Sequence, residues 1–169
     1  MIRGTVVSVL QGVIQRINAT GRADETLSNR EFIQDYGFTS RPKPGAEVIF
    51  IREGNHFIAV ASDDRRYRIA LEEGEIALYD DLGQVVHLTR NGIVASSPTK
   101  ISATAPEVTL TATSKVLLVT PTLEVTGSIT AGGEVSDQAG SMAEIRTTYN
   151  AHTQPVVNGV AQAPTQVMT

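Results

Sequence analysis

The feature that most constrains this chain is residues 99–135, which after Thr99 run KISATAP, EVTLTATS, KVLLVTP, TLEVTGS and ITAGGEV in succession. Ile101, Ala103 and Ala105 alternate with Ser102 and Thr104, and Val108, Leu110 and Ala112 alternate with Thr109, Thr111 and Thr113. A period of two is that of a strand with one buried face. Pro106, Ser114, Pro121 and Gly127 break the run, so each strand spans about seven or eight residues, roughly 25 Å at ~3.3 Å per residue. The inward side chains are few and small. One copy of such strands buries little and leaves its edges open to other chains.

Two architectures cover those edges, a one-chain solenoid and three chains wound about a common axis into a triangular β-helix. The inward residues favour the second. They are Ile, Val, Leu and Ala with Thr, and no Phe, Tyr or Trp occurs between Tyr79 and Tyr149, which suits a narrow interior lined by three copies of each side chain. A one-chain solenoid normally shows longer and better-matched repeats.

Composition excludes several function classes. The 169 residues allow one ordinary domain or two small ones. With no cysteine there is neither a disulfide framework nor a thiolate zinc site, and three histidines make no crowded imidazole cluster within one chain. A formal charge of −4 argues against nonspecific nucleic-acid binding, which relies on clustered Lys and Arg. No run of about twenty apolar residues is present to span a bilayer as a helix. The opening MIRGTVVSVLQG alternates like a strand and lacks a cleavable signal, so Sec-type export is not expected.

All four phenylalanines, Phe32, Phe38, Phe50 and Phe57, fall before the Thr/Val-rich stretch, so the N-terminal part has a globular core. Two strands, residues 3–10 and 13–20, are expected to join at Gln11-Gly12 in a tight hairpin. A long polar connection, residues 21–30, is expected to follow. Phe32, Tyr36 and Phe38 then supply apolar bulk, and Pro42, Pro44 and Gly45 stop any regular element. Residues 47–52 and 57–62 read as a second hairpin, with residues 66–71 and 75–79 continuing the strands. Five or six short antiparallel strands of this length best fit an OB-like barrel.

The same residues bear on other chemistries. Single-strand binding needs exposed aromatic platforms beside a basic groove, whereas these aromatics occupy positions that look buried and the arginines are interleaved with acids, as in Asp63-Asp64-Arg65-Arg66. His56 reads as a turn residue and His87 as a strand residue, neither with an obvious partner. The pairs Glu72-Glu73 and Asp80-Asp81 lie beside glycine and read as solvated turns rather than as calcium or acid–base sites. A polysaccharide-cleaving enzyme on a trimeric β-helix needs paired carboxylates. Glu107, Glu124 and Glu134 are the only carboxylates in residues 99–135 and stand far apart.

Three motifs in order, GFTSRPKPGAE (37–47), DDRRYRIAL (63–71) and GEIALYDDLGQVVHLTRNG (74–92), resemble the central spike proteins of Mu-like contractile-tailed phages, within the baseplate assembly protein V family. The resemblance implies an all-β homotrimer. Its parts are an OB-like domain (1–79), a triple-stranded β-helical shaft (80–135) and a pointed apex (136–169). It also implies a place in the virion at the tail baseplate tip, with the baseplate hub protein as partner and the host outer membrane ahead of the tip. No nucleic acid or small-molecule substrate is expected. The role is mechanical rather than enzymatic: sheath contraction drives the tube, and a three-chain β-helix bears compression because its ladder hydrogen bonds must fail together. In residues 141–150, Met142, Ile145 and Tyr149 have near-helical spacing, with strand as the alternative. The family pattern places a His-x-His pair before a proline at the apex, where three pairs hold one iron. Here the pair is His152 and Gln154. On an extended segment, residues two apart point the same way, so three chains would present three imidazoles and three amide oxygens to one ion. Resemblance favours iron over the other metals such donors suit.

Overall fold

The computed structural model describes residues 1–153, 155, 156, 159, 160 and 163. The chain divides into two compact units, Met1–Pro106 and Glu107–Thr169. The first unit opens with β1 (Ile2–Leu10), β2 (Arg16–Thr20), β3 (Thr26–Phe32), β4 (Glu47–Glu53) and β5 (His56–Asp63). They close into a barrel in the order β1-β2-β3-β5-β4, with β4 returning to β1 and β3 running parallel to β5. Five strands in a closed barrel agree with the OB-like expectation.

Alternation explains the core. Val6 and Val9 on β1, Ile17 and Ala19 on β2, Leu27 and Phe32 on β3, Val48 and Phe50 on β4 and Ala59 on β5 are buried, with Ala46 just before β4. Gly4 is required by close approach: a Cβ there would lie 2.6 Å from the Thr20 carbonyl oxygen on the neighbouring strand.

Three local expectations differ from the structure. The β1–β2 connection is not a two-residue hairpin. Leu10 pairs with Arg16, so residues 11–15 form the turn, held by Gln15 Nε2 donating to Gln11 Oε1 at 2.8 Å. The polar segment 21–30 contains most of β3, because Leu27 and Phe32 supply inward apolar anchors despite the four polar residues between them, Ser28, Asn29, Arg30 and Glu31. Residues 66–71 form no strand, since Arg66 and Arg68 turn back to pair with Asp64 and Asp63. Nor are all the aromatics buried: Phe32 and Phe50 are in the core, whereas Tyr36 and Phe38 are exposed.

After the barrel, β6 (Ile76–Tyr79), β7 (Val85–Thr89) and β8 (Gly92–Ser96) form an antiparallel meander. In the second unit, residues 107–135 contain no strand paired within the single chain. A bridge between Ser136 and Ser141 leads into α1 (Met142–Ala151), so the helical spacing of Met142, Ile145 and Tyr149 prevailed. A capping box fixes the start of α1. Ser141 Oγ accepts from the Glu144 N–H, and the Glu144 carboxylate accepts from the Ser141 N–H. A two-stranded ladder, β9 (Pro155–Val156) with β10 (Gly159–Val160), follows.

Candidate assembly surface and apex site

The meander has an inverted face. Ile76 lies opposite Leu88 and Leu78 opposite Val86, while Val86 and Leu88 face Ala95 and Ile93 on β8. Alternation therefore places six apolar side chains on one face, and all six are exposed in the single chain. On the other face Ala77, Val85, His87 and Thr89 are half-buried. There His87 Nε2 donates to Glu75 Oε2 at 3.0 Å, with only 8% of the Glu75 side chain exposed. Glu75 also accepts from the Glu72 and Arg90 backbone N–H groups, at 3.1 and 3.0 Å. Those two backbone donors, ahead of the imidazole, hold its carboxyl below the usual carboxylate range. His87 thus has the partner its sequence context did not reveal. The only hint was that Glu75 precedes Ala77, the residue opposite His87, by one same-face step.

A belt of ion pairs joins the barrel to the segment after it. Arg66 Nη2 meets Asp64 Oδ2 at 2.7 Å and also donates to the Pro44 carbonyl oxygen at 3.0 Å. Its guanidinium lies over Gly45, whose φ of +90° suits glycine. Glu47 receives Arg65 at 3.2 Å and Arg3 at 3.5 Å. Arg68 pairs with Asp63, and Lys43 with Asp81. The partner cation holds the carboxyl of Asp63, Asp64 and Asp81 below its ordinary range in each case, and Lys43 is correspondingly raised. Asp80 caps its own turn, with Oδ1 accepting from the Leu82 and Gln84 N–H groups at 2.9 and 3.0 Å. Asp63, Asp64, Glu75 and Asp81 are committed to structure: a general acid at neutral pH needs its pKa pushed up, and theirs are held down.

Along residues 107–135 the apolar side chains of Val108, Leu110, Leu123 and Val125 are 59%, 73%, 63% and 48% exposed in the single chain. The Glu107 carboxylate accepts from the Thr109 hydroxyl at 3.2 Å.

At the apex, His152 immediately follows α1. Its Nδ1 lies 2.6 Å from the Tyr149 carbonyl oxygen, and its ring is 5.4 Å from that of Tyr149. A carbonyl oxygen only accepts, so Nδ1 carries the proton and the Nε2 lone pair is left for a ligand. Gln154, the second expected ligand, lies outside the described residues. Among the described residues no three His, Cys, Asp or Glu side chains gather into a metal-holding group within one chain.

Residues 3–66, nearly the whole barrel, match the family profile described as Bacteriophage Mu Gp45, N-terminal. The chain is 35% identical over 98 residues to the baseplate puncturing device gp45 of Escherichia phage Mu, covering 54% of this chain and 50% of that protein. It is 34% identical over 97 residues to the Mu-like prophage FluMu protein gp45 of Haemophilus influenzae, covering 54% of this chain and 53% of the relative. It therefore spans about half the length of the curated relatives it matches. The resemblance carried by the three motifs holds: this chain is similar to Mu-like phage baseplate spike proteins, and its barrel is matched by the N-terminal domain of the Mu Gp45 family.

Proposed function

We propose that this chain is the membrane-piercing spike of a contractile tail, a homotrimer seated by its barrels on the baseplate hub protein at the virion's tail tip and acting mechanically on the host outer membrane. The observation that carries the reading is the similarity to a protein named a baseplate puncturing device. The exposed apolar side chains of residues 107–135 support the three-chain shaft. A chain that leaves Val108, Leu110, Leu123 and Val125 open has apolar surface to bury against something, and two further copies supply identical strands at every height. The ionised, paired acids of the belt and meander support a mechanical rather than hydrolytic role.

The apex metal belongs to the same reading. His152 fits a ligand, because the Tyr149 carbonyl fixes its tautomer in the manner typical of metal-bound histidines. His152 and Gln154 from each chain would hold the ion, and family resemblance favours iron. The ion would supply a cross-link among three chain ends.

Light scattering on the full chain tests the assembly. A mass about three times the 18.1 kDa of one chain is expected, and a folded monomer at micromolar concentration sinks the reading. The purified protein is also expected neither to depolymerise host polysaccharide nor to retard single-stranded DNA at physiological salt. Activity in either assay overturns the mechanical reading.

A further inference from the structure

One mouth of the barrel is closed in an unusual way. Arg30 on β3 lies opposite Ile17, a fully buried core residue of β2, so Arg30 occupies an inward-facing position. On β4, Arg52 follows the buried Phe50 by two residues and lies opposite Phe57 of β5. Because β5 sits between β3 and β4, the three strands carry Arg30, Phe57 and Arg52 side by side. The Arg30 and Arg52 guanidinium carbons lie 5.7 and 5.5 Å from the centroid of the single Phe57 ring, which itself packs on the core. Alternation at this end of the barrel would ordinarily continue the apolar core. It ends instead in two cations about one aromatic ring.

Neither cation is neutralised. Among the described residues the ion pairs use Arg3, Lys43, Arg65, Arg66, Arg68 and His87, but neither Arg30 nor Arg52. Arg52 Nε donates to the Gly54 carbonyl oxygen at 2.7 Å, which fixes that side chain at the β4–β5 turn. Arg30 Nε is buried with no acceptor. A buried donor without a partner is costly, and a guanidinium stacked on a ring presents a planar fork suited to a carboxylate.

We infer that the Arg30–Phe57–Arg52 mouth is a docking site for a carboxylate presented by a partner protein, an acidic side chain or a chain terminus. Phe57 gathers both guanidinium groups at one mouth, so an incoming carboxylate meets two cationic donors and its own apolar stem meets Phe57. The site stands on the barrel alone. That its partner is the baseplate component carrying the spike rests on the proposed function.

The test is fluorescence anisotropy of a labelled hexaglutamate peptide titrated with the full chain at physiological salt. A chain of net charge −4 repels such a peptide at long range, so saturable binding reports a local site. Arg30→Gln and Arg52→Gln are each expected to weaken binding about tenfold, the loss of a charge-assisted hydrogen bond. Arg146→Gln, the same charge change on α1, is expected to leave it unaltered. The inference is overturned if the unaltered chain does not bind, if Arg146→Gln weakens binding equally, or if a labelled oligothymidylate binds more tightly through the same two arginines. Should Arg30→Gln perturb the near-UV circular dichroism of the barrel, the exposed Arg52 decides the matter alone. A trimer that ignores the peptide removes this site and spares the spike reading, whereas a monomer that binds it does the reverse.

Discussion

Asn18 is the residue on which two of the barrel's register shifts converge. The β1–β2 ladder slips between Val6 and Ser8 and the β2–β3 ladder between Ile17 and Ala19. Asn18 Nδ2 donates to Ser8 Oγ at 2.9 Å, while its Oδ1 accepts from the Asn29 N–H at 2.7 Å. Asn29 has φ of 56°, a left-handed conformation that asparagine tolerates and β-branched residues do not. Asn18→Ala is expected to cost about 1 kcal/mol, read as a lower urea midpoint with unchanged slope. Asn29→Val is expected to be worse than Asn29→Gly. The ion pairs make a pH prediction at the same scale. Asp63, Asp64 and Asp81 have folded pKa values below those of the free side chain, near 3.9 for a free aspartate. Their contribution is therefore fully present above about pH 4 and is lost as pH falls through the depressed values. Thermal melts are expected to be flat from pH 7 to about 5 and to drop below about pH 4, with a smaller difference in high salt because these pairs are partly exposed.

The elements differ in how far the sequence disclosed them, and the reason is physical. The β4–β5 hairpin was legible because Val48, Phe50 and Ala59 keep their period on both sides of Gly54. Most of β3 was not, because Ser28, Asn29, Arg30 and Glu31 look like loop, and only the bulge at Asn29 lets Leu27 and Phe32 both face the core. In the candidate site, His152 is legible only through the family pattern that the chain resembles, whereas the neighbours of His87 and Arg30 come from strand pairing that no local pattern encodes. The shaft offers the sharpest test of an element. If Leu110 faces the axis, Leu110→Asp brings three carboxylates into a dry interior at a cost of roughly several kcal/mol each, and assembly is expected to fail. Thr109→Asp, on the opposite side of the same strand, is expected to leave assembly intact. Equal sedimentation of the two variants would place the strand in another register.

For the whole molecule, the question that the proposed trimer raises is what would keep three chain ends together where compression is greatest. The helix before the tip has no buried residue in the single chain, so α1 alone does not pin the end. In the proposed spike a shared ion would, because each chain then could not leave without breaking coordination held by the other two. His152 is prepared for this by its bond to the Tyr149 carbonyl oxygen, which orients the ring before any metal arrives and lowers the entropy lost on binding. Exchanging the expected second imidazole for the Gln154 amide replaces a strong nitrogen donor with a neutral oxygen, so affinity should fall relative to a six-imidazole site while geometry remains open to Fe(II), Ni(II) or Zn(II). Elemental analysis of protein purified without chelator or affinity nickel is expected to give about one metal per three chains, with iron predominant. His152→Ala is expected to abolish the metal and raise protease sensitivity after Ala151, yet leave the trimeric mass unchanged, since the shaft holds the chains independently. A metal-free wild-type protein with an equally protease-resistant tip would show that the apex is held by packing and hydrogen bonds alone.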